Sequence, residues 1–190
     1  MPPPVSFDRE QIVQTALAIV EEDGMNSVSA RMVAGRLNSS TQPVYSWFKS
    51  VAELRRQVLV RAVALLGQYI ARPHTTRTFL NVGVGIALFA KDHRELYRAL
   101  FLENHPDGDI IREFHASINE IQDQDSRFTG NSAAVRRRMI NKMWIFSHGL
   151  ATLVCANLMT DDSADYILDS LNDFGSAVVA AEISRAVEGG

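Results

Sequence analysis

Apolar side chains recur along almost the whole chain at spacings of three and four residues, the repeat of helices that bury one face. Ile12, Val13, Ala16, Leu17 and Val20 carry that repeat first. Asp8 stands before them as an N-cap with Gln11 three residues on, the spacing of a capping box, and Gly24 follows them. The first helix is therefore expected over residues 9–23. Ser29 opens a second, short helix whose buried side is drawn from Met32, Val33 and Leu37. Asn38, Ser39 and Ser40 read as a turn, and Ser40 is placed to cap a third helix from Thr41 to about Trp47. Pro43 falls in its first turn, where a missing N–H costs little. Ser50 and Glu53 repeat the capping-box spacing and open a long fourth helix, with Leu54, Val58, Ala62, Leu65, Leu66 and Tyr69 on its inner face.

Beyond Arg72 and Pro73, helical periodicity runs through 76–92, 92–103, 107–125, 132–159 and 163–187. Turn signals separate these segments at 105–108, 129–131 and 161–162. No run of alternating β-branched residues reaches strand length. The expected fold is all-α: an N-terminal three-helix helix-turn-helix domain over 1–50, then a larger helical bundle over 51–190.

Composition adds limits. A chain of 190 residues with 46 % hydrophobic side chains can build a sizeable core. The formal charge of −3 does not announce nucleic acid, and residues 1–60 carry Arg9, Arg31, Arg36, Lys49, Arg55 and Arg56 against an equal number of acids. A single cysteine, Cys155, excludes an internal disulfide and a cysteine cluster for zinc. His93, His105 and His115 lack the spacing of a helical metal site, so neither metal nor cofactor is expected. Gly83-Val84-Gly85 sits inside a helical pattern without a preceding strand and is no dinucleotide fingerprint. The first residues lack the basic and apolar regions of a signal peptide. The apolar stretch from Trp144 to Met159 is broken by Ser147, His148, Thr152 and Asn157 and is too short for a bilayer. A soluble, cytoplasmic protein is expected. No nucleophile–base pair or converging carboxylate pair marks an enzyme.

The stretch SARMVAGRLNSSTQPVYSWF, residues 29–48, is the informative one. A helix-turn-helix needs two helices joined by a tight turn, the second with a polar outer face. Val33, Ala34, Leu37, Val44 and Phe48 can pack inward, which turns Thr41, Gln42, Ser46 and Lys49 outward. Gln42 suits a bidentate bond to adenine, and Thr41 or Pro43 a thymine methyl. Lys49 and the Tyr45 hydroxyl are placed for phosphate. Ser29, Arg31, Ser40 and Trp47 complete the candidate DNA-contacting set. For Trp47, filling the junction between the third and fourth helices is the competing role.

From Asp8 to about Leu59 the chain resembles the TetR family of bacterial transcriptional regulators. The resemblance is carried by the first helix ending at Gly24, the Ser29 cap, the Val33-Ala34 pair, Ser40, Tyr45, Phe48, and Ser50 with Glu53-Leu54. Trp144 and His148-Gly149 add a weaker likeness on a late helix. The chain departs from the family at Asn38, where glycine is usual, at Trp47, where histidine is usual, and at Val51, where a lysine usually meets phosphate. The resemblance implies a homodimer on a near-palindromic double-stranded operator, acting as a repressor that a small, mainly apolar effector releases. For that effector, Phe89, Phe101, Phe114, Trp144 and His148 are the candidate contacts; for His148, a buried core histidine is the alternative. Leu150, Val154 and Leu158, with Leu171, Phe174, Val178 and Ile183, mark the eighth and ninth helices as the expected dimer surface. The rival reading is an all-α pocket protein or interaction module without DNA binding.

Overall fold

The computed structural model describes residues 7–104, 107–123 and 130–188. Among them the chain forms nine α-helices and no strand. They are α1 (Arg9–Asp23), α2 (Ala30–Arg36), α3 (Gln42–Trp47), α4 (Val51–Ala71), α5 (Thr78–Asp92), α6 (Arg94–Phe101), α7 (Gly108–Asp123), α8 (Ala133–Cys155) and α9 (Ala164–Glu188). The N-terminal proline arm, the turn at 105–106, Thr129 and any helix beyond Asp123 lie outside the described residues.

Local chemistry sets the helix ends. Gln11 N–H donates to Asp8 Oδ1 at 2.8 Å and Asp8 N–H to Gln11 Oε1 at 2.9 Å, so the capping box of α1 is closed in both directions. Gly24 stops α1 with φ 79°, a left-handed value that glycine adopts without strain. A single 3-10 turn at Met25–Ser27, which periodicity did not reveal, then leads to α2. On α2, Ala30, Val33 and Ala34 are buried, whereas Met32, expected inside, is exposed. α8 ends earlier than the apolar pattern because Asn157 takes φ 56° and Leu158 N–H reaches back to Leu153 O at 3.0 Å.

Packing divides the chain into two compact units. The first takes residues up to Leu65 together with His93–Ile110; the second takes Leu66–Asp92 together with residues from Ile111 onward. The expected boundary at residue 50 marks the end of the helix-turn-helix, but the packed unit runs on. The reason is that α4 as far as Leu65 groups with α1–α3 in one packed unit, and α6 folds against α1.

The first unit is built on Ile12, Ile19, Val20, Val28, Val33, Phe48, Leu54 and Val58, all fully buried. Arg55 pins α4 in place by donating to Val28 O at 2.8 and 3.2 Å and to Asn26 O at 3.2 Å. Arg56 grips Asp109 at 2.6 and 3.0 Å and Asp107 at 2.7 Å, and this guanidinium holds the Asp109 carboxyl down to about 2.

In the second unit α5, α8 and α9 pack together around Phe79, Val135, Met139, Ile140, Met143 and Val178. Glu182 is fully buried and gathers Lys142, Arg138 at 2.7 Å and Arg185 at 3.1 Å. Lys142 and Arg138 hold its carboxyl down to about 2, below its ordinary 4.5. With the folded value depressed, the cluster stabilises the fold fully above about pH 4.5, and that contribution is lost as the pH falls toward 2. Glu182→Gln is expected to lower the melting temperature at neutral pH and to flatten the acid limb of the melting profile. An unchanged acid limb in a pH series of thermal melts would show that the cluster adds nothing to stability.

Candidate nucleic-acid interface

Two short helices and the turn between them form the candidate reading head. Asn38 takes φ 48°, inside the left-handed region that asparagine tolerates better than most residues. Ser39 N–H then closes on Ala34 O at 2.9 Å, which ends α2 and redirects the chain into α3. Asparagine in place of the usual glycine therefore still makes the turn. Ser29 caps α2, accepting from Met32 N–H at 3.2 Å. Ser40 Oγ lies 3.4 Å from Gln42 N, a weak cap, and Thr41 stands as the N-cap residue without a side-chain bond.

Val44 and Phe48 anchor α3 in the core. Gln42, Tyr45, Ser46 and Lys49 are exposed, Thr41 and Pro43 are half-buried, and Ser40 and Arg31 are exposed. Ser46 Oγ donates to Gln42 O at 2.9 Å, so its proton is spent on the helix and its oxygen is left to accept. Trp47 does not fill the α3–α4 junction; Phe48 does. Trp47 is 49 % exposed, and its Nε1 donates to Phe7 O at 2.9 Å, tying α3 to the residue before the α1 cap. That bond also occupies the indole proton that would otherwise reach a phosphate.

The six cations of the first sixty residues are not equivalent. Arg36 is held by Glu22 at 2.5 and 3.1 Å, Arg55 by backbone carbonyls, and Arg56 by Asp107 and Asp109. Arg9 lies 5.3 Å from the centroid of the Phe48 ring. Among the described residues no carboxylate pairs with Arg31 or Lys49, which makes these two the cations open to phosphate on the reading head. Glu53 accepts Lys49 N–H at 2.8 Å while Ser50 Oγ accepts Glu53 N–H at 3.2 Å, so the fourth-helix box closes one residue early and fixes the Lys49 backbone. Val51 is half-buried and lines a cleft of about 390 Å³ with Met25, Arg55 and Leu59.

The five aromatic and histidine side chains expected to contact an effector are divided between the two units. Phe101 belongs to the first unit, where its ring lies 5.2 Å from that of Tyr97. Phe89, Phe114, Trp144 and His148 belong to the second. Phe89 is fully buried, edge-on to Tyr69 at 5.7 Å, and Phe114 is buried. Trp144 stands between two imidazoles, 4.4 Å from His115 and 4.1 Å from His148. Burial, with His115 nearby, pushes the His148 ring down to about 4, so it is neutral at physiological pH. Beside this ladder α7 and α8 enclose an open groove of about 450 Å³, lined by Ile111, Arg112, His115, Asn141, Trp144 and Ile145. Of the five expected residues only Trp144 lines that groove. Arg112 and Asn141 carried no signal in the sequence, because their meeting depends on how two helices pair.

No protein-family model matches the chain, and no curated protein does. Solved structures do. A TetR-family transcriptional regulator from Streptomyces coelicolor superposes with a TM-score of 0.67 at 16 % identity, over 93 % of this chain and 88 % of that one. A TetR-like transcriptional regulator from Rhodococcus sp. RHA1 gives 0.63 at 15 % identity, over 93 % of this chain and 98 % of that one. No described helix is long and apolar enough to cross a membrane. At such identities the likeness is one of fold, and the chain has the fold of the TetR-family transcriptional regulators.

Proposed function

We propose that this chain is a DNA-binding transcriptional regulator, a repressor that holds a near-palindromic operator as a homodimer and is released by a small, mainly apolar effector. The observation that carries this reading is the reading head itself. α3 buries Val44 and holds Thr41, Gln42, Tyr45 and Ser46 along its free side, with Arg31 and Lys49 as cations beside it. Such a short polar helix fits the major groove, and paired helices in a dimer fit successive turns of it. Bound effector acts by moving α4, which follows α3 directly. Selection of bound sequences from random DNA by the purified protein tests the reading: a two-fold symmetric motif is expected, and recovery of unenriched sequence would overturn it.

The dimer surface is proposed on α8 and α9, but only in part on the stripes expected from sequence, of which Leu158 and Ile183 are exposed. Leu150, Val154, Leu171 and Val178 are buried within the chain's own core. Outside remain Leu153 on α8 and Ile183 on α9, with Gly149, Ala177 and Ala180 exposed beside them. Small side chains allow close helix approach. Leu153→Glu is expected to give folded monomers with weakened operator binding, whereas Val178→Glu is expected to unfold the second unit. Sedimentation velocity with thermal melts separates the two, and a dimeric Leu153→Glu protein would move the interface elsewhere.

A further inference from the structure

We infer that the groove between α7 and α8 binds an amphipathic anion, a flat apolar body carrying one carboxylate. This names the effector class and rests on reading the chain as effector-responsive. The groove's walls divide chemically. Ile111, Ile145 and Trp144 supply apolar surface, and Ile145 is exposed. Arg112, His115 and Asn141 supply hydrogen-bond donors, and among the described residues the lining contains no carboxylate. Among the described residues no acid pairs with Arg112. A guanidinium presents a planar fork that matches a carboxylate, and the Asn141 amide adds a further donor.

The ring ladder makes the apolar wall stiff. Trp144 is held from two sides by His115 and His148, and His148 is half-buried. A wall fixed in advance loses little side-chain entropy on binding. The volume of about 450 Å³ falls within the range that takes a two-ring molecule. An ammonium group in the same place meets the Arg112 charge with no acid among the described lining residues to offset it.

Calorimetry on the purified protein, without DNA, tests the site with three probes of one shape: 2-naphthoate, 2-naphthylmethanol and 2-naphthylmethylamine. The naphthoate is expected to bind about tenfold or more tighter than the amine, at one site per chain. Arg112→Met should bring naphthoate to the level of the neutral alcohol and leave the alcohol unchanged, which also reports that the variant is folded. Arg112→Lys should restore part of the difference, and Trp144→Ala should weaken all three probes. Equal binding of acid and amine, an Arg112→Met protein that keeps the preference, or no binding at all overturns the proposal. Naphthoate binding with no effect on a selected operator would leave the site standing and count against the regulator reading.

Discussion

Gly85→Ala is expected to lower the melting temperature sharply, although alanine is the better helix former. A methyl at residue 85 of α5 would lie 2.6 Å from Ile70 Cα, 2.7 Å from Ile70 N and 2.8 Å from Tyr69 C. All three are backbone atoms of α4, so no rotamer change makes room. Replacing helical glycine by alanine gains about 1 kcal/mol in propensity. Overpacking in a close helix contact costs about 1–3 kcal/mol and more where backbone must move. The clash wins, and for a chain of this size each kcal/mol shifts the melting temperature by roughly 2–4 °C. Gly67→Ala is the control: nothing lies within 4 Å of the added methyl on α4, so propensity alone acts and the melting temperature should rise slightly. Differential scanning calorimetry of both variants decides. An unharmed Gly85→Ala protein would mean that α4 and α5 stand further apart than described. Gly83 makes a similar approach, with Ser147 Oγ at 2.8 Å and Leu171 Cδ2 at 3.1 Å. The Gly-Val-Gly run in α5 is thus a packing device.

That glycine pair shows what a sequence read alone leaves open. Periodicity told that residues 83–85 are helical and bear no phosphate-binding loop, but not which helix comes close. Local signals were legible because they act over three or four residues. The Asp8–Gln11 box, the Ser29 cap, Gly24 and Asn38 each operate where they were expected. Pairings across the fold were not. Arg36, Arg55 and Arg56 count as cations in the sequence, yet carboxylates and carbonyls far along the chain consume them. Val178 and Leu153 are both apolar residues on long helices, and only packing makes one core and the other surface. Aromatic residues at helical spacing gave no means of telling Phe89, closed against Tyr69, from Trp144, which lines a groove.

Operator binding should separate Gln42 from Lys49 more strongly than any other pair of substitutions. Gln42 is exposed at the first turn of α3 with its side chain unspent among the described residues, and its amide can donate to and accept from an adenine edge together. Gln42→Ala is expected to cost about 1–3 kcal/mol per half-site and to relax base preference at one position in each. A symmetric dimer makes the contact twice, so the loss on a two-site operator is roughly the square of the single-site factor. Lys49 follows α3 with its backbone held by Glu53, and among the described residues no acid pairs with its ammonium. Lys49→Ala removes one phosphate contact per protomer, which should reduce the slope of log K against log salt by about 2 units in all. Because phosphates carry no sequence, specific and unrelated DNA should weaken together. Gln42→Ala should leave the salt slope alone and discriminate between operators; Lys49→Ala should do the reverse. Binding isotherms on the selected operator, on a variant changed at one base pair and on unrelated DNA, each at several salt concentrations, distinguish them. If Gln42→Ala weakens all three DNAs equally and flattens the salt slope, α3 lies along the backbone and does not enter the groove.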